Sequence, residues 1–523
     1  MKAPKRPREP ISSVAGWAFA TVLALMWGLG PALPAMMDGL LLGNAHTDLY
    51  PSVWGLHWFA SQQPGLPLHL DLLAAPEGMA FYYSSPIHGW LAWPLLQVFE
   101  LATTFNLLVV AARVASVLCT YGWLQAAGFV PAGALAGAAL YGCAAMFHGY
   151  AVEGIIEGVD AWTLPLWAWA VARGRFLISI PLFSLVILSN WYLGLAGVLV
   201  ASFWGLKRSD ALFSGIAGGV LAMPLWASFT SAFPDAAPLE PAIRAAMGAT
   251  LSIPSPGWTH DYPFAMTAYF GWLAAALVCW KARENQILAF GVAVCAVLSL
   301  GIGPWYDLPI LERVRFPYRL IAASLFLAAP LVAKAAEDLP TRMLPLIIGP
   351  LIAIESWGLS PTEPIIPGAD ASIPAIYDEI PEGVLLEVPG PVAMPPGEIN
   401  LSRARAKYLL YYQTRHGRSS PWAPDFNGLS KPAEPEWLKD IRAYDPYDPY
   451  FHIRPKIPLR LDEMRAAGVR SVMVQPKTLG TEAARRLETA LVAAGAKPLQ
   501  QTADFRLFVL EDPPGIEPKN ESL

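Results

Sequence analysis

About eleven apolar blocks run through the first 358 residues, and they constrain the fold more than any other feature of this chain. The predicted helices cover 15–36, 103–124, 130–148, 159–173, 175–189, 191–206, 210–230, 265–281, 287–303, 318–334 and 342–358. A helix needs roughly 20 apolar residues to cross about 30 Å of hydrocarbon. The chain is 54% hydrophobic and only 15% charged, whereas soluble chains carry about 25% charged residues. We therefore expect an all-α, multi-pass membrane domain.

Basic residues fall in alternate connections between the predicted helices. They are Lys2, Lys5, Arg6 and Arg8, then Arg173 and Arg175, Lys207 and Arg208, Lys281 and Arg283, and Lys334 and Arg342. The connections 37–102 and 149–158 have the opposite parity and contain no Lys or Arg. Since basic loops stay in the cytoplasm, we expect the N-terminus inside, with loop 37–102 and everything after residue 358 outside.

The composition changes after residue 358. We predict a transmembrane domain over 1–358, a proline-marked linker over 359–374, and a small extracytoplasmic soluble α/β domain over 375–523. In that last domain alternating and β-branched residues predict strands, and amphipathic periodicity predicts helices. The predicted strands are 384–388, 471–474 and 505–510, and the predicted helices are 401–414, 461–467 and 482–494.

The first outer loop, 37–102, contains two apolar segments. Residues 49–62 interleave apolar and polar side chains, which predicts an amphipathic helix lying on the membrane surface. Residues 87–99 are apolar but short for a span. We expect a surface or re-entrant helix there; the alternative is a true span, which would change the parity of the topology.

Asp48 follows the first predicted span directly, with His46 beside it. A carboxylate at an interface with restricted water suits a general base that deprotonates a hydroxyl. The alternative is structural, because Thr47 or Asp48 would also serve as the N-cap of the helix predicted to start near Leu49.

Three acidic residues lie in or beside the second outer loop, at Glu153, Glu157 and Asp160. Their i, i+4, i+7 spacing would place them on one face of a helix. Like charges so close together favour a cation among them, such as Mg²⁺ or Mn²⁺, or an acceptor hydroxyl or amine. The alternative is a solvated loop face.

Three arginines lie near the start of the tenth predicted helix, on the predicted outer side: Arg313 and Arg315 in the connection before it, and Arg319 in its first turn. Arginines on the outer side oppose the positive-inside trend, so we expect a specific reason for their presence there. Arg is the usual ligand of a phosphate oxyanion, and an outer-leaflet lipid phosphate is the expected partner. The alternative is snorkelling toward headgroups.

Further polar residues could line the same cavity: His46, His88, His260 and Asp261. A histidine such as His88 is more often a satisfied core or interfacial residue than a catalyst. The chain has no phosphate-binding glycine loop, no H-E-x-x-H motif and no basic stripe, so we expect no nucleic-acid partner.

The layout resembles the GT-C superfamily of integral-membrane glycosyltransferases, and most closely a broad, mostly uncharacterised bacterial group within it. The features that carry the resemblance are Asp48 after the first span, His57-Trp58, Ala75-Pro76-Glu77-Gly78, Ser85-Pro86-Ile87-His88-Gly89, Asn106, the segment from Asp160 to Leu166, the segment from Arg315 to Arg319, and the segment from Gly468 to Val474. The resemblance covers nearly the whole chain.

This resemblance implies an inverting transfer of a hexose or pentose from a polyprenyl-phosphate carrier. In such families the acid of the first outer loop, here Asp48, is the proposed base. The acids of the second loop (Glu153, Glu157, Asp160) bind metal or acceptor, and the arginines (Arg313, Arg315, Arg319) hold the carrier phosphate. The second loop reads Glu-x-x-x-Glu-x-x-Asp and contains no tight D-x-D, which leaves metal dependence open.

The implied partners are a polyprenyl-phosphate-linked sugar, a glycan, lipid or protein acceptor of the envelope, and membrane lipid, at the bacterial cytoplasmic (inner) membrane. Two other functions stay open. A transporter of lipid-linked glycans would show broken helices and inverted repeats, and we find no repeat. A non-catalytic protein of envelope assembly would use the last domain as a binding module.

Overall fold

A computed structural model describes most of the chain. The described residues are 12–63, 65, 68–81, 85–206, 208–234, 238, 240–249, 266–308, 311–339, 344–390, 407–423, 430–446, 448, 450–453 and 458–510. The predicted cavity residues His260 and Asp261 lie outside them.

Helices dominate residues 12–358. They are α1 (Ser13–Leu29), α2 (Leu33–Met37), α3 (Leu49–Ser61), α4 (Pro86–Leu95), α5 (Leu101–Ala126), α6 (Pro131–Gly142), α7 (Ala145–Val152), α8 (Thr163–Ala172), α9 (Phe176–Ser189), α10 (Trp191–Gly205), α11 (Ser209–Leu221), α12 (Met223–Ala232), α13 (Pro241–Ala246), α14 (Trp272–Lys281), α15 (Gln286–Ser299), α16 (Ile321–Glu337) and α17 (Leu344–Gly358). The predicted helical class of this region is confirmed.

Fewer helices than predicted can be assigned as membrane spans by length and composition. Within the described residues, Ser13–Met37, Leu101–Ala126 and Pro317–Glu337 are long and apolar enough to cross a membrane. Two bent pairs raise the total to five, with kinks of 41° between α6 and α7 and 50° between α11 and α12. The other apolar helices are shorter, so the count of eleven spans stays a prediction.

Small residues let the central helices approach closely. Helix α6 packs on α16, and a Cβ added at Gly133 or Gly137 would lie 2.7 Å from the carbonyl oxygen of Ala333 or Ala329. Such close backbone contact is how helices associate where lipid offers no hydrophobic drive. Aromatic rings fill the wider gaps beside it.

The two apolar segments of the first outer loop form short helices. Helix α3 confirms the helix predicted over 49–62, and it packs against α4, which is only 10 residues long. Trp90 and Trp93 of α4 are exposed. Length and exposure favour the surface or re-entrant interpretation of residues 87–99.

The C-terminal part contains one small sheet flanked by helices. Its strands are β5 (Val384–Val388), β6 (Val469–Val474), β7 (Lys497–Gln501) and β8 (Arg506–Val509), and its helices are α18 (Tyr408–His416), α19 (Glu436–Arg442), α20 (Tyr450–Ile453), α21 (Leu461–Ala466), α22 (Pro476–Leu479) and α23 (Thr481–Ala493). The strand order is β5-β6-β8-β7; β5 and β6 are parallel and the other pairs antiparallel. The predicted strands over 384–388, 471–474 and 505–510 are all present.

Two short ladders form in the first outer loop, and one of them ties this loop to a later part of the chain. Strands β1 (Leu41–Leu42) and β4 (Gly368–Ala369) pair antiparallel, as do β2 (His69–Leu70) and β3 (Met79–Ala80). The first pairing joins the end of the first membrane helix to the segment predicted as linker. The candidate site is therefore built where distant parts of the sequence meet.

Candidate active site

Close backbone contact between the first and second outer loops positions Asp48. Gly43 and Gly154 have positive φ values of 134° and 69°, which favour glycine. A Cβ added at Gly43 would lie 2.6 Å from the Gly154 Cα. The Asn44 N–H donates to the Val152 carbonyl at 2.8 Å, and the Thr47 hydroxyl donates to the Glu153 carbonyl. The loop before Asp48 is thereby fixed to the loop that carries the acids.

Asp48 pairs with a lysine from the C-terminal part of the chain. The Lys407 Nζ lies 2.7 Å from Asp48 Oδ1, and the Asp48 side chain is 58% exposed. Restricted water would raise the Asp48 pKa, but the positive charges of Lys407, Arg319 and Arg315 outweigh this and hold that pKa below its ordinary value. Asp48 is ionised at neutral pH.

The capping interpretation of Asp48 does not describe its side chain. Asp48 occupies the N-cap position of α3, yet within the described residues its carboxylate accepts no hydrogen bond from the first turn. Thr47 instead donates to the Asn44 carbonyl at 2.8 Å. The carboxylate is free of a capping role and is available for chemistry.

Glu157 and Arg319 form a second ion pair beside Asp48. The Arg319 Nη2 lies 3.7 Å from Glu157 Oε1, and the two side chains are 9% and 16% exposed. Burial raises the Glu157 pKa and the negative charge of Asp48 adds to this, while Arg319 opposes the shift. Asn190 donates to the Glu157 carbonyl at 2.9 Å and so fixes the backbone there.

Aromatic rings surround the Arg319 guanidinium. Its Cζ lies 4.8 Å from the Tyr192 ring centroid, 4.9 Å from Phe316, 5.4 Å from Tyr150 and 5.8 Å from Tyr318. Arg319 Nε also donates to the Tyr318 hydroxyl at 3.3 Å. Ring faces attract a cation at these distances, so the guanidinium is held in one orientation.

The pocket between Glu157 and Arg319 is narrow. The space open to the centre of a water molecule among Tyr150, Glu157, Asn190, Tyr192 and Arg319 is about 10 Å³, which is roughly enough for one water molecule. Asp48 is not among the residues that line this pocket.

Arg315 and Arg313 differ in their relation to this site. The charge of Arg315 acts on Asp48, and its guanidinium lies over the Phe316 ring at 5.3 Å. Arg313 is 62% exposed and pairs with Glu312 at 4.0 Å. The structure thus brings Arg315 and Arg319 to Asp48, and it places Arg313 at an exposed position with its own partner.

The prediction that Glu153, Glu157 and Asp160 share one helical face is wrong. Helix α7 ends at Val152, a 3-10 turn covers Ile156–Gly158, and α8 begins only at Thr163. Gly154 in a left-handed conformation breaks the helix. Glu153 is buried and its charge acts on Tyr150 and Tyr318, behind the rings around Arg319.

Asp160 belongs to a separate buried cluster. Its Oδ2 lies 3.1 Å from His88 Nδ1, its Oδ1 accepts from Trp162 Nε1 at 2.9 Å, and Ser85 donates to Oδ2 at 3.3 Å. Asp160 and His88 are each 1% exposed. Burial raises the Asp160 pKa and lowers the His88 pKa to about 3. This cluster braces α4 against the second outer loop.

Of the remaining predicted cavity residues, only His46 can be placed. It is exposed two residues before Asp48, and its backbone N–H donates to Asn44 Oδ1 at 2.9 Å. It is therefore adjacent to the site. His260 and Asp261 lie outside the described residues.

Sequence reasoning missed Lys407. It lies 359 positions from Asp48 and directly before the helix Tyr408–His416. That helix, α18, packs on α3: the Tyr50 and Tyr411 ring centroids are 5.6 Å apart, and Trp54 Nε1 donates to Gln413 Oε1 at 2.8 Å. No local pattern could have found the pairing, because it exists only once these helices dock.

The donor set fits a divalent metal poorly. No group of three or more His, Cys, Asp or Glu side chains lies together among the residues the structure describes. A metal at Asp48 would have to displace the Lys407 ammonium, and a metal at Glu157 would meet Arg319. We derive no step through a metal.

Comparison with known proteins gives the fold. No family model and no curated protein sequence matches the chain. The arabinofuranosyltransferase AftD from mycobacteria is similar over 97% of this chain and 40% of its own, with 16% identity and a TM-score of 0.57. ArnT from Cupriavidus metallidurans, solved with undecaprenyl phosphate, is similar over 96% of this chain and 99% of its own, with 12% identity and a TM-score of 0.51.

The oligosaccharyltransferase AglB from Archaeoglobus fulgidus, solved with dolichol phosphate and an inhibitory peptide, matches with 10% identity and a TM-score of 0.48, over 95% of this chain and 74% of its own. This chain shares its fold with AftD and ArnT, which match it with TM-scores of 0.57 and 0.51. The resemblance seen in the sequence is confirmed at the level of the fold.

Proposed function

We propose that the protein is an inverting glycosyltransferase that moves a sugar from a polyprenyl-phosphate carrier to an envelope acceptor at the outer face of the membrane. One observation carries the proposal: Asp48 lies within electrostatic reach of Glu157, Arg315 and Arg319, although these residues come from three separate parts of the sequence. The ligands in the AglB and ArnT structures, dolichol phosphate and undecaprenyl phosphate, accord with such a donor.

In the proposed reaction an acceptor hydroxyl or amine attacks the anomeric carbon of the donor sugar. The new bond forms as the bond from that carbon to the phosphate oxygen breaks, which inverts the configuration. Asp48 takes the acceptor proton. The leaving polyprenyl phosphate keeps the bonding electron pair, and Arg315 and Arg319 stabilise the charge that develops on its oxygen.

Positive charge at the site suits a phosphodiester. Lys407, Arg315 and Arg319 bring three positive charges close to Asp48, and Arg is a common ligand of phosphate oxygens. A sugar phosphodiester of a polyprenol carries one negative charge, which these groups would attract.

The test uses a panel of synthetic polyprenyl-phosphate hexoses and pentoses, with release of polyprenyl phosphate as the readout. We expect Asp48→Asn to lower the release rate by about 10²- to 10⁴-fold, the typical contribution of a general base. Asp38→Asn is the matched control, since Asp38 is an exposed acid ten positions earlier. It should keep the wild-type rate.

Full release by Asp48→Asn would overturn the assignment of the base. A wild-type protein that releases no polyprenyl phosphate, yet moves a lipid-linked glycan between leaflets of a vesicle, would support the transporter function instead.

A further inference from the structure

We propose that Lys407 is a positioning residue for the transfer reaction, which holds the Asp48 carboxylate ionised and in one orientation and so makes the C-terminal domain a part of the active site. This inference rests on the proposed function, because it assigns Lys407 a role toward the proposed base.

The geometry of the pair supports positioning. Lys407 Nζ lies 2.7 Å from Asp48 Oδ1, and the lysine side chain is only 17% exposed although its partner is 58% exposed. The surrounding protein therefore restricts the movement of the Lys407 ammonium. Among the described residues Oδ2 of Asp48 has no hydrogen-bond partner, so one oxygen is held while the other can accept a proton.

Two docked helices bring the charges together. Asp48 is the N-cap residue of α3, and Lys407 is the N-cap residue of α18. The helices pack along their lengths through the ring contact of Tyr50 with Tyr411 and the hydrogen bond from Trp54 to Gln413. The two N-terminal ends meet as a result, which places Lys407 Nζ beside the Asp48 carboxylate.

The helix that carries Lys407 is also fixed to the C-terminal sheet domain. The Tyr408 hydroxyl, on the next residue, lies 2.9 Å from the Thr478 hydroxyl and donates to Gln475 Oε1. Gln475 follows strand β6 directly. A continuous path of contacts therefore runs from the sheet through Tyr408 to the ammonium at Asp48.

Other charged groups also face Asp48, and they remain when Lys407 is replaced. Arg315 and Arg319 supply positive charge, Glu157 supplies negative charge, and His46 lies exposed two residues away. Lys407 is the one that contacts the carboxylate directly and acts on it more strongly than either arginine. Replacing it should therefore raise the pH at which Asp48 takes up a proton.

A first experiment tests the contact without any donor. A water-soluble carbodiimide activates the Asp48 carboxyl, and attack by Lys407 Nζ forms an amide while the reagent leaves as the urea. We expect a zero-length crosslink between peptides containing residues 48 and 407 in the full-length protein, detected by mass spectrometry. Absence of this crosslink, with other adjacent Lys–carboxylate pairs such as Lys334 and Asp338 (2.9 Å) linked, would overturn the inference.

A second experiment tests the electrostatic role. Hydrophobic carbodiimides label protonated carboxyls, so labelling of Asp48 across pH reports its protonation. We expect the labelling midpoint of Lys407→Met to lie at higher pH than in the wild type, and that of Lys407→Arg to stay near the wild type. Arg415→Met is the matched control: Arg415 lies on the same helix and pairs with Asp378 at 2.9 Å, away from Asp48.

Activity then separates this inference from the proposed function. Lys407→Met should lose up to about 10²-fold in polyprenyl phosphate release, the scale of a misplaced catalytic group, and its acid limb should move to higher pH. Suppose that Asp48→Asn is inactive, but that Lys407→Met matches Arg415→Met in both the labelling midpoint of Asp48 and the rate of polyprenyl phosphate release. The role of Lys407 is then refuted and the proposed function stands. If Asp48→Asn keeps the wild-type release rate, the assignment of the base fails, and with it the role of Lys407 toward that base. If the wild-type protein releases no polyprenyl phosphate, the proposed function itself fails.

Discussion

At the scale of single residues, Arg319 is held by charge on one side and by rings on the others. A planar guanidinium can stack on several ring faces and still donate to a carboxylate, whereas the ammonium of a lysine cannot do both. Its position between Glu157 and four aromatic rings therefore explains why this position carries Arg. The same rigidity suits a group that must meet developing phosphate charge.

The pair of Arg319 and Glu157 gives a prediction about stability. Arg319→Met leaves a largely buried carboxylate without its cation, which should lower the free energy of unfolding by about 3 kcal/mol. The double variant Arg319→Met/Glu157→Gln has no unpaired charge, so it should recover part of that loss. Thermal unfolding of the four proteins of this double-mutant cycle in detergent measures the coupling.

The exposed pair of Arg313 and Glu312, 4.0 Å apart, is the control for that cycle. Its coupling should be below about 1 kcal/mol, because water screens exposed ion pairs. Equal coupling energies in both cycles would show that burial does not strengthen the Arg319 pair.

The sequence allowed part of the site to be predicted at this scale. Asp48 could be chosen because it directly follows the first predicted span, and Arg315 and Arg319 because they oppose the positive-inside trend. Lys407 could not, since a lysine in a polar segment is unremarkable until α18 docks on α3. Asp160 was predicted to bind metal or acceptor and His88 to line the cavity, but the two pair with each other in a buried cluster.

At the scale of elements, two glycines decide how the outer loops meet. A Cβ at Gly154 would lie 2.6 Å from the Cβ and 2.9 Å from the Cα of Leu49, the residue after Asp48. The loops can approach only because Gly43 and Gly154 have no side chains. The distance from Asp48 to Glu157 and Arg319 therefore depends on this contact.

Gly154→Ala should accordingly impair both stability and transfer. The left-handed φ of 69° costs an alanine about 1 kcal/mol, and the clash with Leu49 should add about 1–3 kcal/mol and displace Asp48. Gly174→Ala is the matched control, because Gly174 has a φ of 66° and nothing lies within 4 Å of its added Cβ.

We expect Gly174→Ala to lose only the stability that the left-handed backbone conformation costs an alanine, and to keep the wild-type rate of polyprenyl phosphate release. Unfolding midpoints and release rates of the two variants provide the comparison. Equal losses in both would mean that the contact with Leu49 does not position Asp48.

Glycines of the second loop explain why the shared helical face of its acids was predicted wrongly. The acidic spacing from Glu153 to Asp160 fits a helix, but a helix cannot pass through Gly154 in its observed conformation. A Cβ at Gly158 would also overlap the Tyr150 ring. The spacing of acidic residues alone does not reveal these breaks. By contrast, long apolar periodic segments such as α5 and α16 were predicted within a few residues of their bounds.

At the scale of the whole molecule, several charged contacts join segments that are predicted to lie on the same side of the membrane. Lys281 Nζ lies 2.7 Å from Asp338 Oδ2, which links two connections predicted to be cytoplasmic. The pairs of Asp48 with Lys407 and of Glu157 with Arg319 link segments predicted to be outside. The alternation of basic residues along the chain predicts which segments share a side, because it reflects the orientation in which helices insert into the membrane. It does not predict the kinks or the lengths of the helices.

This arrangement predicts a topology that cysteine labelling can test. In a Cys279→Ser background, which removes the exposed cysteine, a membrane-impermeant maleimide should label Ser372→Cys in intact spheroplasts. It should label Arg283→Cys only after permeabilisation, because positions 372 and 283 are both exposed but are expected on opposite sides. The reverse pattern would place Asp48 and Lys407 in the cytoplasm, where a donor flipped to the outer leaflet could not reach them.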